Sequence, residues 1–297
     1  MATTESIKAR IVTVKLLQSV VRTMKTLAAV SIRHQEKTIQ NLAAYSRTID
    51  MGLVILLREG AGVFLEDSAA SGGELGVIIL GSDQGLCGRF NEQIVSFSRT
   101  EMRRLEPDES RRHILCVGGR THMRLTELGE KMEDSTPAPV TVPGIRTAVN
   151  SVLLTIDQWK RRLQVENVVV CYNRILFGTV CAPQVLRLVP FDRERLRELS
   201  GQKWQGPTIP LFTMERGKLF SYLIRHSLFS TLYLTIAESM AAENASRLAS
   251  MQAAEKNIGE RQDDLNLQFR DLRQGAITEE LLDIVAGFEA MTSAQTP

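Results

Sequence analysis

Apolar residues near the N-terminus recur with a helical period. Ile7, Ile11, Val14, Leu17, Val21, Met24, Ala28 and Ile32 follow one another at steps of three or four. Such steps place side chains on one face of a helix. The stripe lasts more than three heptads, which predicts a coiled-coil seam. It runs on through Ile39, Leu42 and Tyr45 toward Arg58. A single helix of that length is a rod of about 80 Å. The C-terminal stretch repeats the pattern with Leu265, Phe269, Leu272 and Ala276, then Ile277, Leu281, Ile284, Phe288 and Met291. The one-residue shift between the two series is a register break, which coiled coils absorb by local unwinding. Gly259, Gly275 and Gly287 interrupt this stretch and are expected where a neighbouring backbone comes close.

Between these ends the pattern changes to short apolar runs. Residues 76–80, 113–117, 167–172 and 185–189 read as strands, and 90–105, 121–131 and 149–163 as helices. Alternation of strands and helices implies a mostly parallel sheet with helices on both faces. Proline agrees with the division. All nine prolines lie at 107, 137, 139, 143, 183, 190, 207, 210 and 297. Residues 1–106 and 211–296 are therefore free of helix-breaking proline. The expected fold is α/β: a central Rossmann-like domain carried on a long antiparallel two-helix coiled coil. The expected divisions are 1–60, 61–210 and 211–297.

Charge favours pairing of the two end helices. Residues 1–50 carry eight bases against three acids, and residues 238–297 carry five bases against eleven acids. A basic helix beside an acidic one is a complementary pair. Over the whole chain 36 basic residues nearly balance 34 acidic ones, which excludes a chain-wide field for nucleic acid. No apolar run has the length of a bilayer span, and residues 1–8 lack the apolar stretch of a signal peptide. Cys87, Cys116, Cys171 and Cys181 form no CxxC pair and suit a reducing compartment as buried thiols.

Candidate chemistry is sparse. Gly81-Ser82-Asp83-Gln84-Gly85-Leu86-Cys87-Gly88-Arg89-Phe90-Asn91 lies between a strand and a helix, where phosphate loops occur. Its glycine spacing matches neither dinucleotide nor Walker loops, and no lysine follows. A structural turn is the better reading. His34, His113, His122 and His226 show no metal-ligand spacing and no catalytic triad is visible. No cofactor, metal or catalytic residue is expected. A nucleotide-binding α/β enzyme and a free-standing coiled-coil adaptor are the alternative readings of these elements.

Four segments carry a resemblance. Arg10-Ile11, Val14-Lys15, Gln18, Met24-Lys25, Ala28-Ala29 and Arg33 resemble the opening helix of gamma subunits of F-type ATP synthases. The loop from Leu80 to Asn91 is similar to that family's SDRGLCGGFN. Glu243-Asn244-Ala245-Ser246-Arg247-Leu248-Ala249-Ser250-Met251 resembles its ExAARMxAM segment. Residues 273–287 closely follow its RQAAITxELxEIVxGA. The resemblance implies a non-catalytic rotor shaft in a multi-subunit, membrane-associated complex, coupling hydrogen-ion or other ion transport to ATP synthesis. The implied partners are three alpha and three beta subunits, the epsilon subunit and the membrane c-ring. The implied location is peripheral, on the cytoplasmic face of a bacterial inner membrane. Arg273, Gln274, Thr278 and Glu280 match the family's contacts between shaft and ring. Met24 and Arg247 match positions coupling the shaft to a beta-subunit loop. Leu16-Leu17 replaces the usual Asn-Thr, and residues 209–217 replace the YxYEP segment of the foot, which marks a divergent branch.

Overall fold

The computed structural model describes residues 3–58, 73–202, 208 and 211–293. Helix α1 is Thr4–Arg58. Strand β1 (Glu74–Leu80) leads to α2 (Phe90–Leu105), β2 (Arg112–Val117) and α3 (Gly119–Glu127). Next come β3 (Asp134–Thr136), α4 (Val142–Arg162), β4 (Val165–Phe177), β5 (Val180–Val189) and α5 (Arg193–Gly201). Helix α6, Arg216–Ser293, closes the chain. Two compact units divide these elements: residues 1–27 with 250–297, and residues 28–249.

The larger unit holds one sheet in the order β3-β2-β1-β4-β5. The first four strands are parallel, and β5 returns antiparallel to β4. Both faces are covered, so the strands are apolar on both sides. Ile78, Leu80, Leu115 and Val117 pack with Ile145, Val149, Val152 and Trp159 of α4 and with Leu232, Ile236 and Met240 of α6. Val77, Ile79, Ile114 and Cys116 pack with Ile94, Val95 and Met102 of α2 and Leu125 of α3. Full burial of such aliphatic side chains contributes about 1.5–3 kcal/mol each.

Within the same unit α1 and α6 run antiparallel. Gln35 bonds Asn244, Tyr45 bonds His226 and Ser46 bonds Ser230. Ile49, Leu53, Val54 and Leu57 of α1 meet Leu196 and Leu199 of α5 and Phe220, Leu223 and Ile224 of α6. Arg195 of α5 fastens this cluster through Asp50 at 2.8 Å.

The smaller unit is a helix pair. Arg22 and Lys25 both reach Glu255, at 2.9 and 2.5 Å. Ile7 and Leu265 are buried; Ile11, Val14, Val21 and Phe269 are half-buried. Leu17 departs from the expected stripe and is exposed, while Gln18 is half-buried in its place. The steps of 4, 3, 4 and 3 run through residues 7, 11, 14, 18 and 21, so Leu17 sits one position off the seam.

Other differences have local causes. Strand β3 is polar and short, and escaped the apolar pattern. Helix α4 begins at Val142, seven residues before its expected start, because Pro143 falls in the first turn, where its missing N–H is harmless. Strand β5 contains Pro183, tolerated because β5 is an edge. A Cβ on Gly259 or Gly275 would meet nothing within 4 Å, so no backbone among the described residues approaches them. Gly287 and Phe288 have side-chain positions outside the described residues, as do Ile209 and Pro210 of the foot segment.

Candidate functional site

The glycine-rich loop is an internal clamp. Asn91 Oδ1 accepts the backbone N–H of Ser82 at 3.1 Å and the hydroxyl of Thr121 at 2.9 Å. Asn91 Nδ2 donates to Ser82 Oγ at 2.8 Å. Asp83 spends both carboxylate oxygens on backbone N–H groups, Gly119 at 2.6 Å and Ala138 at 3.0 Å. It thereby neutralises the N-terminus of α3 and pins the entry to α4. Ser246 of α6 donates to the Cys87 carbonyl at 2.6 Å. The loop thus ties β1, α2, α3 and α6 together. Close packing dictates the glycines: a Cβ on Gly81 would lie 1.6 Å from Thr121 Oγ1, and Gly118 holds φ +113 against the Ser82 backbone. The Ser82 N–H and the Asn91 amide, two donors of this loop, are engaged within it.

The cysteines are inert by burial. Burial pushes the Cys116 thiol up to about 12 and Cys171 to about 11, and raises Cys87 and Cys181. Thiols so far above neutral pH carry almost no thiolate.

Arg247 is buried on α6 and fully oriented. It donates to Glu243 and, at 2.9 Å, to Asn244 Oδ1. Asn244 Nδ2 then donates across to Gln35 Oε1 at 3.3 Å. Burial raises the Glu243 carboxyl, and the Arg247 charge opposes that rise. Met24 belongs to the smaller unit and is half-buried on α1.

Arg273, Gln274, Thr278 and Glu280 all lie exposed on α6. Thr278 donates to the Gln274 carbonyl of its own helix at 2.9 Å. The surrounding apolar residues correct the expected seam. Leu272, Ile277, Leu281 and Ile284 are 37, 47, 56 and 68 % exposed. Register explains it. Eighteen residues back from Arg22 is Thr4, where α1 starts, and eighteen forward from its partner Glu255 is Arg273. Beyond that point α1 offers nothing to cover α6. Periodicity marked a face that needs covering, and the cover is not in the helix pair.

The exposed face has a definite composition. At about 100° per residue, Arg273, Ile277, Glu280 and Ile284 form one row, and Gln274, Thr278, Leu281 and Val285 the adjacent row. Polar hydrogen-bonding groups therefore alternate with bare aliphatics on one side. A contiguous exposed apolar face of this kind marks a site of protein association.

Known proteins share this organisation. The family model described as ATP synthase matches residues 3–291. The ATP synthase gamma chain of Leptothrix cholodnii is 26% identical over 294 residues, covering 98% of this chain and 100% of that one. The gamma chain of Pasteurella multocida is 27% identical over 297 residues with the same coverage. Among solved structures, the rotor of the Euglena gracilis mitochondrial ATP synthase superposes with a TM-score of 0.62 at 14% identity, over 92% of this chain and 98% of that one. The central stalk and c-ring structure of the Tetrahymena thermophila enzyme contributes a chain with a TM-score of 0.57 at 20% identity, over 79% of this chain and 99% of that one. The structural likeness is one of fold.

Proposed function

The chain belongs to the ATP synthase family matched over residues 3–291, as a gamma chain of the central stalk, and from this membership we propose how it works. It turns as one asymmetric rod inside a ring of three alpha and three beta subunits, and its foot rests on the epsilon subunit and the membrane ring. The observation that carries this reading is the exposed face from Ile277 to Val285, helical yet uncovered by α1. Such a face is made for burial in a partner.

The physics of coupling follows from asymmetry. A rod with one apolar face touches each of three equivalent subunits differently. Differential contact biases each subunit's conformational equilibrium. About 1.4 kcal/mol of difference changes a population tenfold, so a few contacts suffice. Arg273, Gln274, Thr278 and Glu280 supply polar contacts, and Ile277, Leu281 and Ile284 supply apolar ones. Arg247 and Met24 each couple the shaft to a beta-subunit loop. Glu243 and Asn244 hold the Arg247 guanidinium ready for that contact. Chemistry stays on the beta subunits, and this chain contributes no catalytic group.

Attachment to the membrane is indirect. No helix among the described residues is long and apolar enough to cross a bilayer. The chain works as a peripheral subunit at the cytoplasmic face of a bacterial inner membrane. The test is direct observation of rotation. The full chain, tagged on α5, is assembled with its alpha and beta subunits on a surface. ATP should produce unidirectional turning of the tag. An assembly that hydrolyses ATP with a stationary tag would defeat the reading.

A further inference from the structure

Within the smaller unit, one carboxylate of α6 holds two cations of α1. Arg22 Nε donates to Glu255 Oε1 at 2.9 Å, and Lys25 Nζ donates to Oε2 at 2.5 Å. Met24, proposed above to couple the shaft to a beta-subunit loop, lies between these two cations in sequence. We propose that Glu255 is a positioning residue, which fixes the turn of α1 bearing Met24 against α6. The inference rests on the shaft reading, because it gives Glu255 a part in transmitting rotation.

The seam around this contact leaves a task for it. Ile7 and Ala28 are buried on α1, and Met251 and Leu265 on α6. Between those positions neither helix has a buried residue. Gln18 and Val21 on α1, and Ala254, Ile258 and Gln262 on α6, are only half-buried. Interlocked apolar side chains fix how two paired helices are rotated against each other. A half-covered stretch that includes two glutamines supplies little of that interlock.

Two points of attachment supply what the seam lacks. Arg22 and Lys25 stand about 4.5 Å apart along the axis of α1 and roughly 60° apart around it. A single bond fixes one distance at one height. Two bonds from separated positions to one carboxylate oppose both sliding along the axis and rolling about it. The bonds from Lys25 and Arg22 hold the Glu255 carboxyl below the usual carboxylate range, so the contact is ionic at neutral pH. Charge-assisted bonds of this kind are short and directed. The Arg22 and Lys25 side chains stay 64 and 34 % exposed, and ion pairs so open to water add little to folding stability. Position and stability are therefore separable by measurement.

The full chain would carry spin labels on unnatural side chains at positions Ser19 and Arg261, exposed on α1 and α6 of the same unit. Pulsed dipolar spectroscopy should give the wild type one narrow distance distribution. Glu255→Gln keeps the size and removes the charge, and should at least double that width with the melting temperature unchanged. Glu255→Lys with Lys25→Glu restores an ion pair between the helices and should restore the narrow distribution. Glu260→Gln removes a carboxylate that pairs within α6, with Lys256 at 3.8 Å, and should change nothing. In the surface-bound assembly tagged on α5, Glu255→Gln should at least double the angular variance of the tag during pauses. A wild-type tag that never turns defeats the shaft reading itself. A turning wild type whose tag varies no less than that of Glu255→Gln overturns the role of Glu255 alone. So does a free chain that keeps its distribution without the Glu255 charge, or one that the charge swap leaves as broad as Glu255→Gln does.

Discussion

The indole Nε1 of Trp159 donates to Glu133 Oε2 at 2.9 Å, and the other oxygen of that carboxylate meets His113 Nδ1. His113 is itself buried and presents Nε2 to Glu74. An imidazole with a carboxylate at each nitrogen is held as the cation, which donates at both. His113 and its two carboxylates, together with Trp159, join β1, β2 and α4 at the end of the sheet away from the glycine loop.

This triad predicts a pH dependence. Burial alone would lower the His113 pKa, but the bonds to Glu133 and Glu74 outweigh it, and the net shift is upward. A raised folded-state value gives stability that is complete below the unfolded value of about 6.5 and lost as pH rises through the folded one. The melting temperature of the wild type should therefore fall from pH 6 toward pH 8.5. His113→Gln should flatten that slope. Parallel curves for the two proteins would show that the triad is not the source.

Asp83→Ala should destabilise the larger unit by about 2 kcal/mol, the ordinary cost of removing a helix cap at its upper range. The reason is that both Asp83 oxygens hold backbone N–H groups on separate elements. Urea unfolding measures the change. Asp83→Asn should recover part of it, since one amide oxygen still accepts. A loss below about 0.5 kcal/mol, the level of an ordinary surface change, would remove the loop's clamping role.

Two apolar residues of the same heptad pattern should behave oppositely. Leu265 is 1 % exposed against α1's end of the helix pair, and Ile284 is 68 % exposed. Leu265→Ala should cost about 2–5 kcal/mol. Ile284→Asp should change the stability of the free chain by less than about 0.5 kcal/mol. The order reverses in the assembled complex, where Ile284→Asp should weaken association. Circular dichroism melts of the chain and gel filtration of the complex separate the two effects.

What the sequence revealed and concealed follows from the range of each signal. The period of three to four at Ile7, Ile11 and Val14 is local, so α1 was legible, as were β1, β2 and β4. The glycine spacing of the loop from Gly81 to Asn91 pointed to a turn, and its bonds to Gly119, Thr121 and Ala138 lie outside any local pattern. Periodicity identifies a face to be covered and is silent on the cover. Leu265 and Ile284 look alike in sequence for that reason. Strand β3 pairs through its backbone with Leu115, Cys116 and Val117, and its side chains Asp134, Ser135 and Thr136 carry no strand pattern. The chain Gln35–Asn244–Arg247–Glu243 was also hidden. Its members lie 209 residues apart at the Gln35–Asn244 bond and read individually as solvated helix residues. The register of the helix pair fixes them, and no local pattern encodes register between ends of a chain.

The contact face proposed on α6 makes the sharpest prediction about activity. Arg273, Gln274, Thr278 and Glu280 share one side of the helix with Ile277, Leu281, Ile284 and Val285, while Glu279 and Asp283 fall on the opposite side. Charge-assisted hydrogen bonds contribute about 1.5–3 kcal/mol each. Losing them where they distinguish states of the ring slows turnover by at least about tenfold. Arg273→Ala with Gln274→Ala should therefore reduce ATPase activity of the reconstituted complex by that factor, while the free chain melts as before. Arg273→Lys should recover little, because a point charge does not reproduce the planar fork of a guanidinium. Glu279→Ala with Asp283→Ala removes as many polar side chains from the other side of the helix and should leave activity unchanged. Equal losses from the two double variants would mean that the helix end responds to loss of polar side chains on either side alike. The assignment of a contact face to this row of residues would then fall.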